Sequence, residues 1–172
     1  MIAGLIAGVA LLALTACGQG ATPPLTNPGP PTAVVTHTPT SELMSLVLAD
    51  VIRVSASGTP GDYSLSVSVR SPDTGCDSYA DWWEAVSEDG ELIYRRVLLH
   101  SHVDEQPFTR SGGPVDIQPG DTVIILAHMS QGGYGGTAMR GTVADGFAPG
   151  GLSAQFGIGL ESQGPRPTDC AF

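Results

Sequence analysis

Residues 79–99 read YADWWEAVSEDGELIYRRVLL: two apolar-rich runs, 79–86 and 92–99, on either side of Ser87-Glu88-Asp89-Gly90. Asp-Gly between such runs is a strong short-range hairpin signal, because glycine accepts the positive φ that a type I′ turn demands. The two runs therefore predict a pair of antiparallel strands. Upstream, residues 63–69 (YSLSVSV) alternate polar and apolar with period two, so Leu65, Val67 and Val69 face a core and the serines between them face water. Downstream, Gln118-Pro119-Gly120-Asp121 is a turn leading into residues 122–127 (TVIILA), which are apolar on both faces as a central strand is. Residues 46–54 are β-branched and precede the turn Gly58-Thr59-Pro60-Gly61, which favours a further strand. Residues 139–143 and 152–160 are shorter strand segments in a glycine-rich tail, and residues 105–113 read as a long polar loop. There is no amphipathic helical stretch and no internal repeat. Short strands punctuated by turns predict an all-β domain, either a single antiparallel β-sandwich or a barrel.

The N-terminal part of the 172-residue chain is of another kind: residues 1–41 contain no Asp, Glu, Lys or Arg. Residues 2–14 (IAGLIAGVALLAL) are apolar but shorter than the about 20 residues that span a bilayer, and they suit the core of a signal peptide. Leu14-Thr15-Ala16-Cys17 resembles the lipobox of bacterial prolipoproteins, an apolar residue and two small ones before a cysteine. The resemblance implies cleavage before Cys17 and acylation of that cysteine, holding the chain to a membrane. Met1-Ile2-Ala3 lacks the basic residues that usually precede a signal core, so either the start lies upstream or this is an atypical leader. Residues 18–41 are rich in Pro, Thr and Gly without apolar periodicity, a composition that stays extended and cannot bury a core. At about 3.1 Å per residue such a linker reaches roughly 70 Å. The expected organisation is a signal peptide over 1–16, a lipidated Cys17 with its linker over 17–41, and a β-sandwich over 42–172.

The net charge is −10 at pH 7, with 17 acidic residues against 7 basic ones, and every basic residue is an arginine. That balance argues against nucleic acid and against docking on anionic headgroups, both of which need a basic face. With Cys17 taken by lipid, Cys76 and Cys170 remain as an even pair, read in an exported domain as a disulfide.

The stretch from Ser71 to Met129 resembles an uncharacterised group of secreted bacterial proteins with an immunoglobulin- or fibronectin-like sandwich. The resemblance implies the fold and carries no activity. In such a sandwich one of Trp82 and Trp83 is the core tryptophan, while the other packs on the disulfide or joins an exposed aromatic patch.

His100-Ser101-His102 stands where the strand after the hairpin runs out, and residues two apart in a strand share a face. With Glu105 and with His128 at the end of the central strand, these residues form a candidate set for Zn or Cu, to which Met129 and Met139 would add soft ligands. His-x-His-x2-Glu-x6-Gly, followed by Pro119-Gly120-Asp121 and His128, is similar to the cupin metal motif, and it implies a cupin-like jelly roll as the alternative fold. It departs from that motif in three ways. The second histidine and Glu105 are one residue too close, Glu105 and His128 are too few residues apart, and Tyr94 occupies the place of the leading glycine. The competing reading is that the histidines are strand-end residues hydrogen-bonded to neighbouring carboxylates.

Arg110 with Thr109 suits a carboxylate or sugar hydroxyls; alternatively Arg110 pairs with Glu105 or Asp116 while Phe108 plugs the sandwich end. Arg95 and Arg96 point to opposite faces, one of them against Glu84 or Asp81 across the hairpin. No G-x-S-x-G elbow, P-loop or dinucleotide fingerprint is present. The sequence therefore reads as a lipid-anchored extracytoplasmic binding or accessory module of the bacterial envelope, more in keeping with a binder than an enzyme. It would meet an envelope protein or polysaccharide through a patch near Trp82, Trp83, Phe108, Arg110 and Tyr134. A metal-binding protein using His100, His102, Glu105 and His128, and a purely structural envelope protein, are the alternatives.

Overall fold

The computed structural model describes residues 48–152 and 156–171. The expected signal peptide, Cys17 and the linker lie outside the described residues. Eight strands follow in order: β1 (Asp50–Thr59), β2 (Asp62–Arg70), β3 (Ala80–Ser87), β4 (Leu92–Val97), β5 (Phe108–Val115), β6 (Val123–Met129), β7 (Ala138–Thr142) and β8 (Gly146–Gly150). They form a three-stranded sheet in the order β1-β2-β5 and a five-stranded sheet in the order β4-β3-β6-β7-β8. Every pairing between these eight strands is antiparallel. The two sheets enclose one core, so the domain is an all-β sandwich.

The period-two pattern of β2 is realised directly: Tyr63, Leu65, Val67 and Val69 are buried, and the serines between them face the other way. On that outer face Ser68 hydrogen-bonds Thr109 of β5 at 2.8 Å. Trp83 of β3 is fully buried in the inter-sheet core beside Tyr94 of β4. Burying a large apolar side chain contributes about 1.5–3 kcal/mol, so a core containing Trp83, Phe108, Leu65 and Ile125 holds the sheets together.

β6 is buried along its whole length because both faces of its sheet are covered. Val123, Ile125, Ala127 and Met129 meet the inter-sheet core. Ile124 and Leu126 meet a second apolar layer that includes Val86, Ala138 and Leu160, with Leu152 and Phe156 at its margin. Residues from the C-terminal segment thus lie over the outer face of the larger sheet. Cys76 and Cys170 are joined in a disulfide, and Ala171 pairs with His100 beyond the end of β4.

Three local expectations are corrected. The hairpin loop holds three residues, with the Gly90 N–H donating to Ser87 at 3.1 Å, the Ser87 N–H donating to Glu91 at 2.9 Å, and Gly90 at φ 86°. That is the pattern of a longer hairpin loop closed by a left-handed glycine, in place of the two-residue type I′ turn. The stretch taken as a polar loop contains β5. Gly112 hides that strand from a propensity reading, yet packing requires it, since a Cβ there would lie 2.6 Å from the Tyr94 hydroxyl oxygen and 3.0 Å from the Trp83 ring. β5 is also an edge strand, where Pro114 is tolerated. Finally, within the strand expected at 152–160, residues 156–159 are turns that lead into a 3-10 turn, Leu160–Ser162, and β8 lies upstream. Gly157 at φ 78° and Gly159 at φ 89° are incompatible with an extended strand there.

Candidate functional site

A polar network lies on the outer face of the larger sheet, between β3, β4 and β6 and the C-terminal segment. It begins with Glu84, directly opposite Arg95 in the β3–β4 register. Both side chains are fully buried, and the Arg95 guanidinium donates to Glu84 Oε2 at 2.7 Å. Its remaining nitrogens donate to the carbonyls of Leu160, Gln163 and Pro165. One cation therefore neutralises a buried carboxylate and fastens the chain that crosses the sheet. Burial pushes the Glu84 carboxyl up, opposed by the Tyr134 hydroxyl and by Arg95.

Trp82 stands on β3 between the strands that carry Arg95 and His128. The guanidinium carbon lies 4.4 Å from the Trp82 ring centroid. The His128 imidazole stacks on the same indole at 3.8 Å, with planes 8° apart. The Trp82 N–H donates to the Tyr134 hydroxyl at 3.1 Å. Burial, and then Glu84, raise the pKa of that hydroxyl, which stays protonated.

His128 Nδ1 lies 2.6 Å from Asp81 Oδ1, and its Nε2 lies 3.5 Å from Glu161 Oε1. Glu161 also lines a cleft of about 360 Å³, together with Tyr134, Phe156 and Ile158. Ile158 is 80% exposed there, an uncovered aliphatic side chain beside two polar groups.

The expected histidine set is divided. The His100 and His102 rings are 4.7 Å apart and line one pocket with Glu105. Glu105, however, accepts two hydrogen bonds from Arg110, at 3.0 and 2.7 Å, and this pairing holds its carboxyl below the usual range. His128 faces Asp81 and Glu161 in place of the other two histidines. Among the described residues no group of three or more His, Cys, Asp or Glu is arranged to hold a metal ion. Met129 and Met139 are core residues.

The expected aromatic patch is divided as well. Trp83 and Phe108 are in the core, Trp82 is covered, and Tyr134 borders the cleft. Arg110 takes the structural option, pairing with Glu105. Asp81 and Glu161 were not singled out as partners of His128. An acid beside the two tryptophans of a largely apolar strand was the available signal for Asp81, whereas Glu161 sits in a tail with no pattern that points to it.

His102 stacks flat on Phe108 at 3.7 Å, and neither ring nitrogen has a hydrogen-bond partner. Its backbone N–H is anchored by Asp73, which also caps Ala80. Burial lowers its pKa, with Arg110 and His100 acting in the same direction. An unfolded chain then takes up this proton before the folded one. Stability present above about pH 6.5 is expected to fall as pH drops toward the lower folded-state value. Urea midpoints across that window should show the decline in the wild-type chain and a flatter profile in His102→Leu. Equal slopes would mean that another group carries the effect.

No family model matches the chain, and no solved structure is similar to it. The chain is similar to a protein of Halomicrobium mukohataei named "Putative lipoprotein", at 38% identity over 105 residues, covering 60% of this chain and 50% of that protein. The chain thus spans about half the length of the curated relative it matches.

Proposed function

We propose that the chain is an exported lipoprotein, tethered outside a membrane through an acylated Cys17, and that its β-sandwich is a non-enzymatic binding or accessory module. The cysteine inventory carries this reading. Two of the three cysteines are joined to each other, and the third stands in Leu14-Thr15-Ala16-Cys17 ahead of a Pro- and Thr-rich stretch. A disulfide suits an oxidising compartment, and a lone cysteine behind a short apolar run suits lipidation. The lipoprotein name of the similar protein supports the same reading.

The strand order, with a core tryptophan on β3 and Tyr94 beside it, supports an immunoglobulin-like variety of sandwich. The cleft beside Tyr134 and the exposed Ile158 favour this end of the larger sheet as the recognition surface for an envelope protein or polysaccharide. Stable anchoring requires more than one acyl chain. The wild-type chain is therefore expected to sediment with membranes after a high-salt wash and to carry an acyl mass on Cys17. Cys17→Ser should be found in the soluble fraction. A Cys17→Ser chain that still sediments, or a wild-type Cys17 without lipid, removes the anchor from this account.

A further inference from the structure

We infer that His128 and Glu161 form an open site for one divalent cation of the zinc class beside the cleft that Glu161 lines. This goes beyond the anchoring reading and does not depend on it. The first observation is the fixed tautomer. Asp81 Oδ1 stands 2.6 Å from His128 Nδ1, and a carboxylate accepts, so Nδ1 carries the hydrogen and the Nε2 lone pair points outward. A carboxylate behind the ring is the arrangement that orients metal-ligating histidines and raises their basicity.

The second observation is what Nε2 faces. Glu161 Oε1 lies 3.5 Å away, so in the neutral form two lone-pair atoms confront each other at a separation too long for a good hydrogen bond. Two ligands of a tetrahedral zinc ion, each about 2.0–2.1 Å from the metal, are separated by about 3.3–3.5 Å. The gap matches that edge. A glycine keeps it clear, because a Cβ on Gly133 would fall 2.8 Å from Glu161 Oε1 and 3.9 Å from His128 Nε2.

The third observation is preorganisation. The His128 side chain is only 8% exposed and is stacked on Trp82, which Arg95 in turn covers. Glu161, at 59% exposure, is free to adjust by a few tenths of an ångström. One imidazole nitrogen with one carboxylate oxygen selects zinc-class ions over magnesium or calcium, which prefer all-oxygen shells. Tyr134 does not join as a ligand, since its hydroxyl is engaged with Trp82 and stays protonated. Two protein ligands leave the remaining positions of a four-coordinate ion unfilled by the chain. They are available to water or to a carboxylate or hydroxyl of a bound molecule.

The test is calorimetric titration of the full chain with zinc chloride at pH 7.5, beside Glu161→Gln, Asp81→Asn and His100→Ala. The expected result is one zinc per wild-type chain, unchanged in His100→Ala. Glu161→Gln, an exposed substitution that leaves the core untouched, should bind at least about tenfold more weakly. Asp81→Asn should lose about 10–100-fold, as removal of a supporting carboxylate does. Nitrogen NMR should then report the ion on His128 Nε2. A wild-type chain that binds no zinc overturns the inference. So does zinc binding that Glu161→Gln leaves intact, or that His100→Ala abolishes.

Discussion

Arg95→Ala is expected to destabilise the domain by about 3–5 kcal/mol, because it strands a buried carboxylate without its partner. Glu84 is fully buried, and the neutral Tyr134 hydroxyl beside it cannot replace the charge of the guanidinium. The same substitution leaves the carbonyls of Gln163 and Pro165 without their donor, while the Leu160 carbonyl keeps the Gln163 N–H. The pH dependence has a definite sign. A carboxyl whose folded-state pKa is raised above its unfolded value, near 4.5, contributes most below that value and loses its contribution as pH rises. The Arg95→Ala deficit should accordingly be smallest near pH 4.5 and grow toward neutrality. Urea midpoints at two pH values check both the size and the sign. A deficit below about 1 kcal/mol at pH 7, within the range of an exposed pair, would mean that the ion pair is solvated in solution. The double variant Glu84→Leu with Arg95→Met should recover part of the loss, since apolar replacement of a buried pair is often neutral. Full recovery is not expected while the carbonyls of Gln163 and Pro165 lack donors.

The second large effect is removal of the Cys76–Cys170 bond. The bridged residues are separated by 94 positions, and closing a loop of about that length contributes about 4–5 kcal/mol in the chain-entropy account. Cys76→Ala with Cys170→Ala should therefore lower the urea midpoint strongly. The slope of the unfolding free energy against urea should also rise, because the unlinked denatured chain exposes more surface. A small shift with an unchanged slope would place the tail's attachment elsewhere, in the Leu99–Ala171 hydrogen bond and the Arg95 contacts.

The strands legible in the sequence are those in which side-chain pattern and burial agree. Tyr63 to Val69 alternate because one face of β2 is buried, and Val123 to Met129 are apolar because both faces of β6 are covered. The hairpin of β3 and β4 announced itself through Asp-Gly, although its loop has another length. β5 escaped because Gly112 and Gly113 are present for close packing against Tyr94 and Tyr63, and glycine carries no strand signal. The histidines drew attention as residue types, but spacing along the chain could not say which partners the fold would bring. His102 faces Phe108, and His128 faces Trp82, Asp81 and Glu161. The contact with Glu161 joins a central strand to a distant glycine-rich tail, and no local pattern encodes it. Arg95 with Glu84 was accessible, since hairpin register alone sets the two opposite each other.

The crossing of the larger sheet by the C-terminal segment also bears on the folding chain. A sheet of β3, β4 and β6 paired before Leu160 is in place would present Val86, Ile124 and Leu126 as a bare apolar surface to other chains. Intermediates with such a surface aggregate through it. Glu84 and Arg95 stand within that surface, and charges placed beside unavoidable apolar strands discourage sticking between molecules. In such a sheet the two charges would guard the apolar strands that, once folded, the same pair helps to cover.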